Sequence, residues 1–302
     1  SMKAWVEYLR RQAGDGHVWK TGSHFGDWLA FVSMAADDYG AATGKDLIST
    51  AFYAHSTDLL AQAAEILGKK EDAAKYAALF PKISDAFARE FVTPAGRVGE
   101  NTQTAYVLAL HFGLLPERLQ AEAARRLAED VRTRGHLTTG FLGTPYLCHV
   151  LSRFGYLDLA YQLLNREEYP SWLYPVTRGA TTIWERWDGI KPDGSFQDPG
   201  MNSFNHFAYG AIGDWMYRVV AGLDLDPAEP GYRHVLAQPR PGSGLTSASA
   251  RLETPYGEAA SGWELETGTL TVSVTVPPNA RGTVRLPDAR LPDVEESGLP
   301  VT

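Results

Sequence analysis

The chain has 302 residues, 44% of them hydrophobic, which is enough for one large domain, or a larger and a smaller one, with a real core. Lys and Arg total 28 against 36 Asp and Glu, giving a net charge of −8, and no basic run gathers that could neutralise several phosphates; no nucleic-acid partner is expected. No stretch approaches the roughly 18 continuous apolar residues that span a bilayer, and no charged-then-apolar leader opens the chain, so no membrane partner is expected and the compartment stays undecided.

Apolar positions three and four apart predict about nine helices, near 2–13, 28–39, 46–67, 71–92, 101–112, 117–134, 145–154, 157–166 and 204–221. Within 71–92, Tyr76, Phe80, Ile83, Phe87 and Phe91 share one face, and Pro81 predicts a kink or a break. Gly68, Gly113, Gly135 and Gly155 follow periodic runs as stops, while Pro116 and Pro145 stand where a first turn would begin. Short connections make consecutive helices antiparallel neighbours. The lone Cys148, in an apolar run, is expected to be a buried core residue, and a single cysteine excludes an internal disulfide.

Beyond Gly222 the segment Asp-Leu-Asp-Pro-Ala-Glu-Pro-Gly reads as a linker. About five strands are then predicted, at 233–238, 245–252, 257–264, 269–276 and 282–286, making an antiparallel sheet or sandwich. The fold class is therefore mainly α over residues 1–222, with a smaller all-β domain over 223–302. The closing Leu-Pro-Val-Thr shows no final strand, and Ser1-Met2 reads as a residue left ahead of a chosen start. Both ends suggest a piece of a longer protein.

One stretch does not read as scaffold. From Pro170 to His206, Trp172, Tyr174, Trp184 and Trp187 stand among Gly, Asp and Pro, and so long a loop is ordinarily functional or disordered. Four large aromatics do not suit disorder, and flat rings beside carboxylates and hydroxyls suit sugars, whose C–H faces stack on rings. Glu185 lies between Trp184 and Trp187 and beside Arg186. It is either the carboxylate base that activates water in an inverting glycosidase or half of a surface charge pair with Arg186. His206, at the expected start of the last helix, has an imidazole edge for a ligand hydroxyl or serves as a cap or core histidine. Asp27 and Trp28 set a carboxylate beside an aromatic before the helix expected at 28–39, where Asp27 is equally well a helix cap.

His17, His24, His55, His111, His136 and His149 show no His-x-x-x-His or His-Glu pairing on one helix, so no metal is expected, and no phosphate loop or serine elbow suggests a cofactor.

Taken in order, Gly26-Asp-Trp-Leu, Asn101-Thr-Gln-Thr-Ala-Tyr, Thr139-Gly-Phe-Leu-Gly-Thr-Pro-Tyr-Leu, Thr181-Thr-Ile-Trp-Glu-Arg-Trp and Ser203-Phe-Asn-His-Phe-Ala-Tyr-Gly resemble the bacterial α-L-rhamnosidases of glycoside hydrolase family 78. The resemblance covers about residues 15–220 and runs on into a β-domain. It implies an (α/α)6 toroid, incomplete here, followed by an antiparallel β-sandwich, and release of terminal α-L-rhamnose from rhamnose-containing glycosides with inversion. By position it implies Glu185 as general base, Trp28, Trp184 and His206 at the sugar and Asp27 beside them, and Trp187 flanks the base. The family's Asp-rich acid segment has no counterpart in residues 1–302, which leads us to expect a weak or inactive fragment. The alternatives are a rhamnose-binding module without turnover, completed by another chain or by a second copy across an open toroid, and a helical scaffold with no sugar ligand.

Overall fold

The computed structural model describes residues 1–31 and 42–301, and the chain divides into two compact units, Ser1–Gly210 and Ala211–Thr302. In the first unit the described helices are α1 (Met2–Ala13), α2 (Lys45–Ile66), α3 (Lys70–Phe91), α4 (Gln103–His111), α5 (Glu117–Arg134), α6 (Thr144–Arg153), α7 (Leu157–Leu164) and the short α8 (Leu173–Thr177). Helices α2 and α3, joined by three residues, pack along one another; α1 lies on α2, α4 touches α2, α5 and α6, and α7 packs on α6. Short turns and apolar stripes produce this hairpin-by-hairpin arrangement.

The stripes explain which helix lies where. Helix α5 buries Leu119, Ala123, Ala124, Leu127, Ala128 and Val131 and leaves its arginines outside. Helix α4 is buried on all sides from Gln103 to Leu110, as an all-round apolar helix must be. Thr102 caps it by accepting from the Ala105 N–H at 3.2 Å. Gly135 ends α5 in the left-handed conformation, φ 71°, with its N–H on the Val131 carbonyl. Cys148 is buried in α6.

Three expectations about helices are revised. Pro81 does not break α3, which is helical from Lys70 to Phe91, with Pro81 replacing one N–H inside a helix held by its buried face. The helix expected at 28–39 is a turn over the described residues 28–29, and the remainder beyond residue 31 lies outside the described residues. The helix expected at 204–221 begins only at Ala208, because residues 183–185 and 203–206 pair with each other instead: the Glu185 N–H reaches the Ser203 carbonyl at 2.8 Å and the His206 N–H reaches the Ile183 carbonyl at 2.8 Å.

In the second unit, α9 (Ile212–Trp215) runs into a π turn, Met216–Val220. One sheet has strand order β1 (Leu223–Leu225), β2 (His234–Ala237), β6 (Arg281–Val284); a second has order β3 (Ser247–Thr254), β4 (Gly257–Glu266), β5 (Thr269–Thr275). β7 (Glu295–Glu296) and β8 (Leu299–Pro300) form a small hairpin near the chain end, where no strand is expected. β1 is a further correction, since Leu223–Leu225 opens the expected linker yet pairs with Val235–Ala237. β2 and β6 pair in parallel, not antiparallel, because the chain makes the β3–β5 meander before returning to β2. Along β4 the alternation of a half-buried strand puts Ala259, Ser261 and Trp263 inside. Ala221, Leu223, Val235, Ala250 and Ala259 form the core, and the Trp263 indole N–H donates to the Val220 carbonyl at 2.7 Å.

Candidate active site

Three segments of the first unit meet at the residues singled out from the sequence: 24–31, 138–143 and the loop 169–209. The first two are stitched by backbone bonds, Phe31 N–H to the Thr138 carbonyl at 3.1 Å and Phe141 N–H to the Trp28 carbonyl at 3.0 Å, and the third is tied to the first by the Tyr209 hydroxyl. Gln103, buried in α4, braces the junction by accepting from the Thr138 N–H at 2.8 Å and donating to Asp130 at 2.9 Å.

Glu185 sits half-buried in the loop. Its Oε2 accepts the Ser203 N–H at 2.9 Å, the reverse partner of its own N–H bond to the Ser203 carbonyl, so backbone pairing fixes both the residue and its carboxylate. Among the described residues no donor is recorded on Oε1. Arg186 bonds Asp188 at 3.1 Å, and Asp188 also accepts from Gln197 Nε2 at 2.5 Å, a network inside the loop that the sequence did not reveal.

His206 is held by four contacts, one of them the ring of the next residue, Phe207, stacked on it at 5.0 Å and 18°. The His206 backbone N–H bonds Ile183, its Nδ1 accepts the Ala208 N–H at 3.2 Å, and its ring lies against Phe141 at 5.0 Å between centroids and 27°. An acceptor Nδ1 in the neutral ring puts the proton on Nε2, which is then the donor. Trp28 is partly exposed and meets Phe25 edge-on at 5.3 Å.

Trp184 and Trp187, expected to offer faces to a sugar, are both 5% exposed. Phe204 packs edge-on against Trp184 at 5.1 Å, and Tyr209 stacks on Trp187 at 3.8 Å. Trp172, whose indole N–H donates to the Tyr209 carbonyl at 3.0 Å, completes the group. Burial among neighbouring rings gives these tryptophans a supporting position behind the loop.

Asp27 departs furthest from expectation. It has no exposed surface, and its carboxylate accepts from Thr104 Oγ1 at 2.5 Å and from the N–H groups of Gly140, Leu142 and Gly143 at 2.8, 2.7 and 3.0 Å. Burial pushes this carboxyl up from its ordinary value, and the four donors act in the opposite sense. The Asp27 carboxylate is therefore fully engaged by Thr104 and the backbone of residues 140–143. Phe141, Tyr209, Thr104 and Ser203 belong to the site by contact; all four lie within the five motifs, but nothing in their residue type marks the part they play.

In the second unit, oxygens of Asp226 and Glu229 and a ring nitrogen of His234 lie within 4.8 Å of one another. His234 Nδ1 is already bonded to Asp226 at 3.0 Å and Nε2 to Thr283 at 2.8 Å, while Glu229 pairs with Arg281. Both ring nitrogens are engaged within the sheet, and the group reads as a strand-to-strand network.

With this geometry in place, comparison with known proteins is decisive. Residues 1–220 match the bacterial alpha-L-rhamnosidase 6 hairpin glycosidase domain, and residues 222–298 match the bacterial alpha-L-rhamnosidase C-terminal domain. The chain belongs to the bacterial α-L-rhamnosidases of glycoside hydrolase family 78. An alpha-L-rhamnosidase of Streptomyces avermitilis is 45% identical over 288 residues, covering 95% of this chain and 27% of its own length. One from Formosa agariphila is 45% identical over 291 residues, covering 95% of this chain and 31% of its own. The crystal structure of the Streptomyces avermitilis enzyme complexed with L-rhamnose superposes with a TM-score of 0.86 at 44% identity, over 94% of this chain and 26% of that one. The native Aspergillus terreus enzyme gives 0.87 at 37% identity, over 94% and 34%. The chain thus spans about a quarter to a third of the length of the relatives it matches.

Proposed function

We propose that this chain is the base-bearing part of an inverting α-L-rhamnosidase that releases terminal α-L-rhamnose from glycosides. The observation that carries this reading is Glu185, with one carboxylate oxygen anchored on the Ser203 N–H at 2.9 Å and set in the same paired turn as His206. A base needs a fixed carboxylate with an oxygen left to take a proton from water attacking the sugar. His206 Nε2 then donates to a sugar hydroxyl and Trp28 offers a ring to a C–H face, with Trp184 and Trp187 behind them. Asp27 is assigned no contact with the sugar.

In this reading the first unit is part of an (α/α)6 toroid, supported by its hairpin packing and by the match to a 6 hairpin glycosidase domain. Residues 223–302 are a β-sandwich domain, supported by two three-stranded sheets. The compact units divide at Gly210 and Ala211, whereas the two family matches meet at residues 220–222. We favour the later boundary, 222/223, because strand β1 opens there. The acid that protonates the leaving oxygen belongs, in our reading, to the part of the relatives that this chain does not span.

The test follows from that division of labour. 4-Nitrophenolate departs with little help from an acid, so a chain holding only the base still hydrolyses 4-nitrophenyl α-L-rhamnoside slowly, and Glu185→Gln lowers that rate by about 10²- to 10⁴-fold. Calorimetric binding of L-rhamnose with no hydrolysis by either protein identifies a binding module, and neither binding nor hydrolysis sinks both readings.

A further inference from the structure

We propose that Asp27 is the positioning residue of this site, locking the 139–143 loop so that Phe141 buttresses His206 in the orientation that presents Nε2. The inference rests on the reading of His206 as a ligand group and goes beyond it by assigning the residue that holds it.

Every acceptor direction of the Asp27 carboxylate is taken by a group of the loop or by Thr104, and its side chain is sealed from solvent. The fit is tight enough to dictate its neighbours. A Cβ at Gly140 would stand 2.3 Å from the Trp28 carbonyl oxygen and 2.6 Å from that of Asp27, and one at Gly143 would stand 2.4 Å from Thr104 Oγ1. Only glycine lets the loop come close enough for its N–H groups to reach the carboxylate. Between these two glycines lies Phe141, whose ring meets His206 at 5.0 Å and Tyr209 edge-on at 5.2 Å. The Tyr209 hydroxyl donates back to the Leu29 carbonyl at 2.9 Å, two residues from Asp27. The contacts therefore close a circuit from Asp27 through the loop and Phe141 to His206 and Tyr209, and back to the segment that holds Asp27.

Asp27→Asn is the informative change, because its amide NH2 must face backbone N–H groups that can only donate. Phe141→Leu removes the buttress and leaves the carboxylate alone. Thr104→Val takes away one donor and keeps the backbone cage, so it serves if Asp27→Asn fails to fold. Each variant is compared with the unaltered chain by circular dichroism, by the His206 ring resonances in ¹⁵N,¹³C NMR and by calorimetry with L-rhamnose. The expected result is that Asp27→Asn moves the His206 resonances the way Phe141→Leu does and weakens L-rhamnose binding roughly tenfold, about 1.4 kcal/mol. The double variant is then no worse than either single one, the mark of two residues acting through one contact. Thr104→Val gives the same displacement at smaller amplitude. Loss of stability with unmoved His206 resonances and unchanged affinity, or effects that add in the double variant, overturns the proposal. If the unaltered chain binds no L-rhamnose, the functional reading fails, and the His206 resonances still decide whether Asp27 positions the ring.

Discussion

Two residues at the site take their character from the backbone around them. Glu185 is placed by a reciprocal bond pair with Ser203, one bond through its backbone N–H and one through its carboxylate, and a glutamine side-chain oxygen can take over the second. Glu185→Gln, close in shape, should lower hydrolysis of 4-nitrophenyl α-L-rhamnoside by about 10²- to 10⁴-fold while leaving L-rhamnose affinity nearly unchanged, which parallel kinetics and calorimetry check. Gly140 is the opposite case. Its missing side chain is what admits the Trp28 carbonyl, so Gly140→Ala should destabilise the fold by about 1–3 kcal/mol or more, read from the urea midpoint. At this scale the company of Glu185 and His206, a carboxylate between tryptophans and a histidine in an aromatic run, was legible in the sequence, and their pairing through one turn is what the structure adds. The role of Asp27 was not legible, since its partners Thr104 and Gly140 are 77 and 113 residues away and three of its four bonds are to backbone, which residue types do not encode.

Among the elements, those whose local signals agreed with one another were read within a residue or two: α1 and α5 each combine an apolar stripe with a glycine just beyond the last turn. The expected helix at 204–221 fails at its start because tertiary pairing of Ser203 and His206 with Glu185 and Ile183 overrides periodicity. β1 escaped notice because a three-residue strand beside two prolines carries almost no alternation to read. Caps give this scale its own test. Thr102→Ala removes the acceptor for the Ala105 N–H and the partner of Thr43 at 2.6 Å, and should cost about 1 kcal/mol in thermal or urea unfolding. In the second unit, Trp263→Ala empties a fully enclosed site on β4 and strands the Val220 carbonyl, for a loss of about 3–5 kcal/mol.

For the molecule as a whole, stability should depend on pH through groups far from Glu185. Glu7 on α1 accepts from Lys75 and Tyr76 on α3 and from Arg10, and the Lys75 bond is the main cause that brings its carboxyl down to about 2. A carboxylate lowered in the folded state adds stability above its unfolded value of 4.5, and that stability is lost as pH falls from there toward 2. His55, stacked on Phe112 at 4.1 Å, has its imidazole shifted below 6.5 by burial, so the unfolded chain takes up its proton first and stability also declines as pH drops below 6.5. Urea midpoints measured from pH 8 down to pH 3 should fall in two stages. Glu7→Gln should flatten the more acidic stage and His55→Phe the milder one.

The Tyr209 hydroxyl on the Leu29 carbonyl joins residues 180 positions apart, and Asp27 reaches the 140–143 loop across more than a hundred. During synthesis, therefore, the segment 24–31 leaves the ribosome long before the partners that give it shape, which emerge in turn at Thr104, at residues 138–143 and at Tyr209. Whatever guards the nascent chain meets this aromatic stretch, with Phe25 and Trp28, during that interval. Any pause in translation between residues 31 and 209 lengthens the time for which the segment 24–31 stands without its last partner.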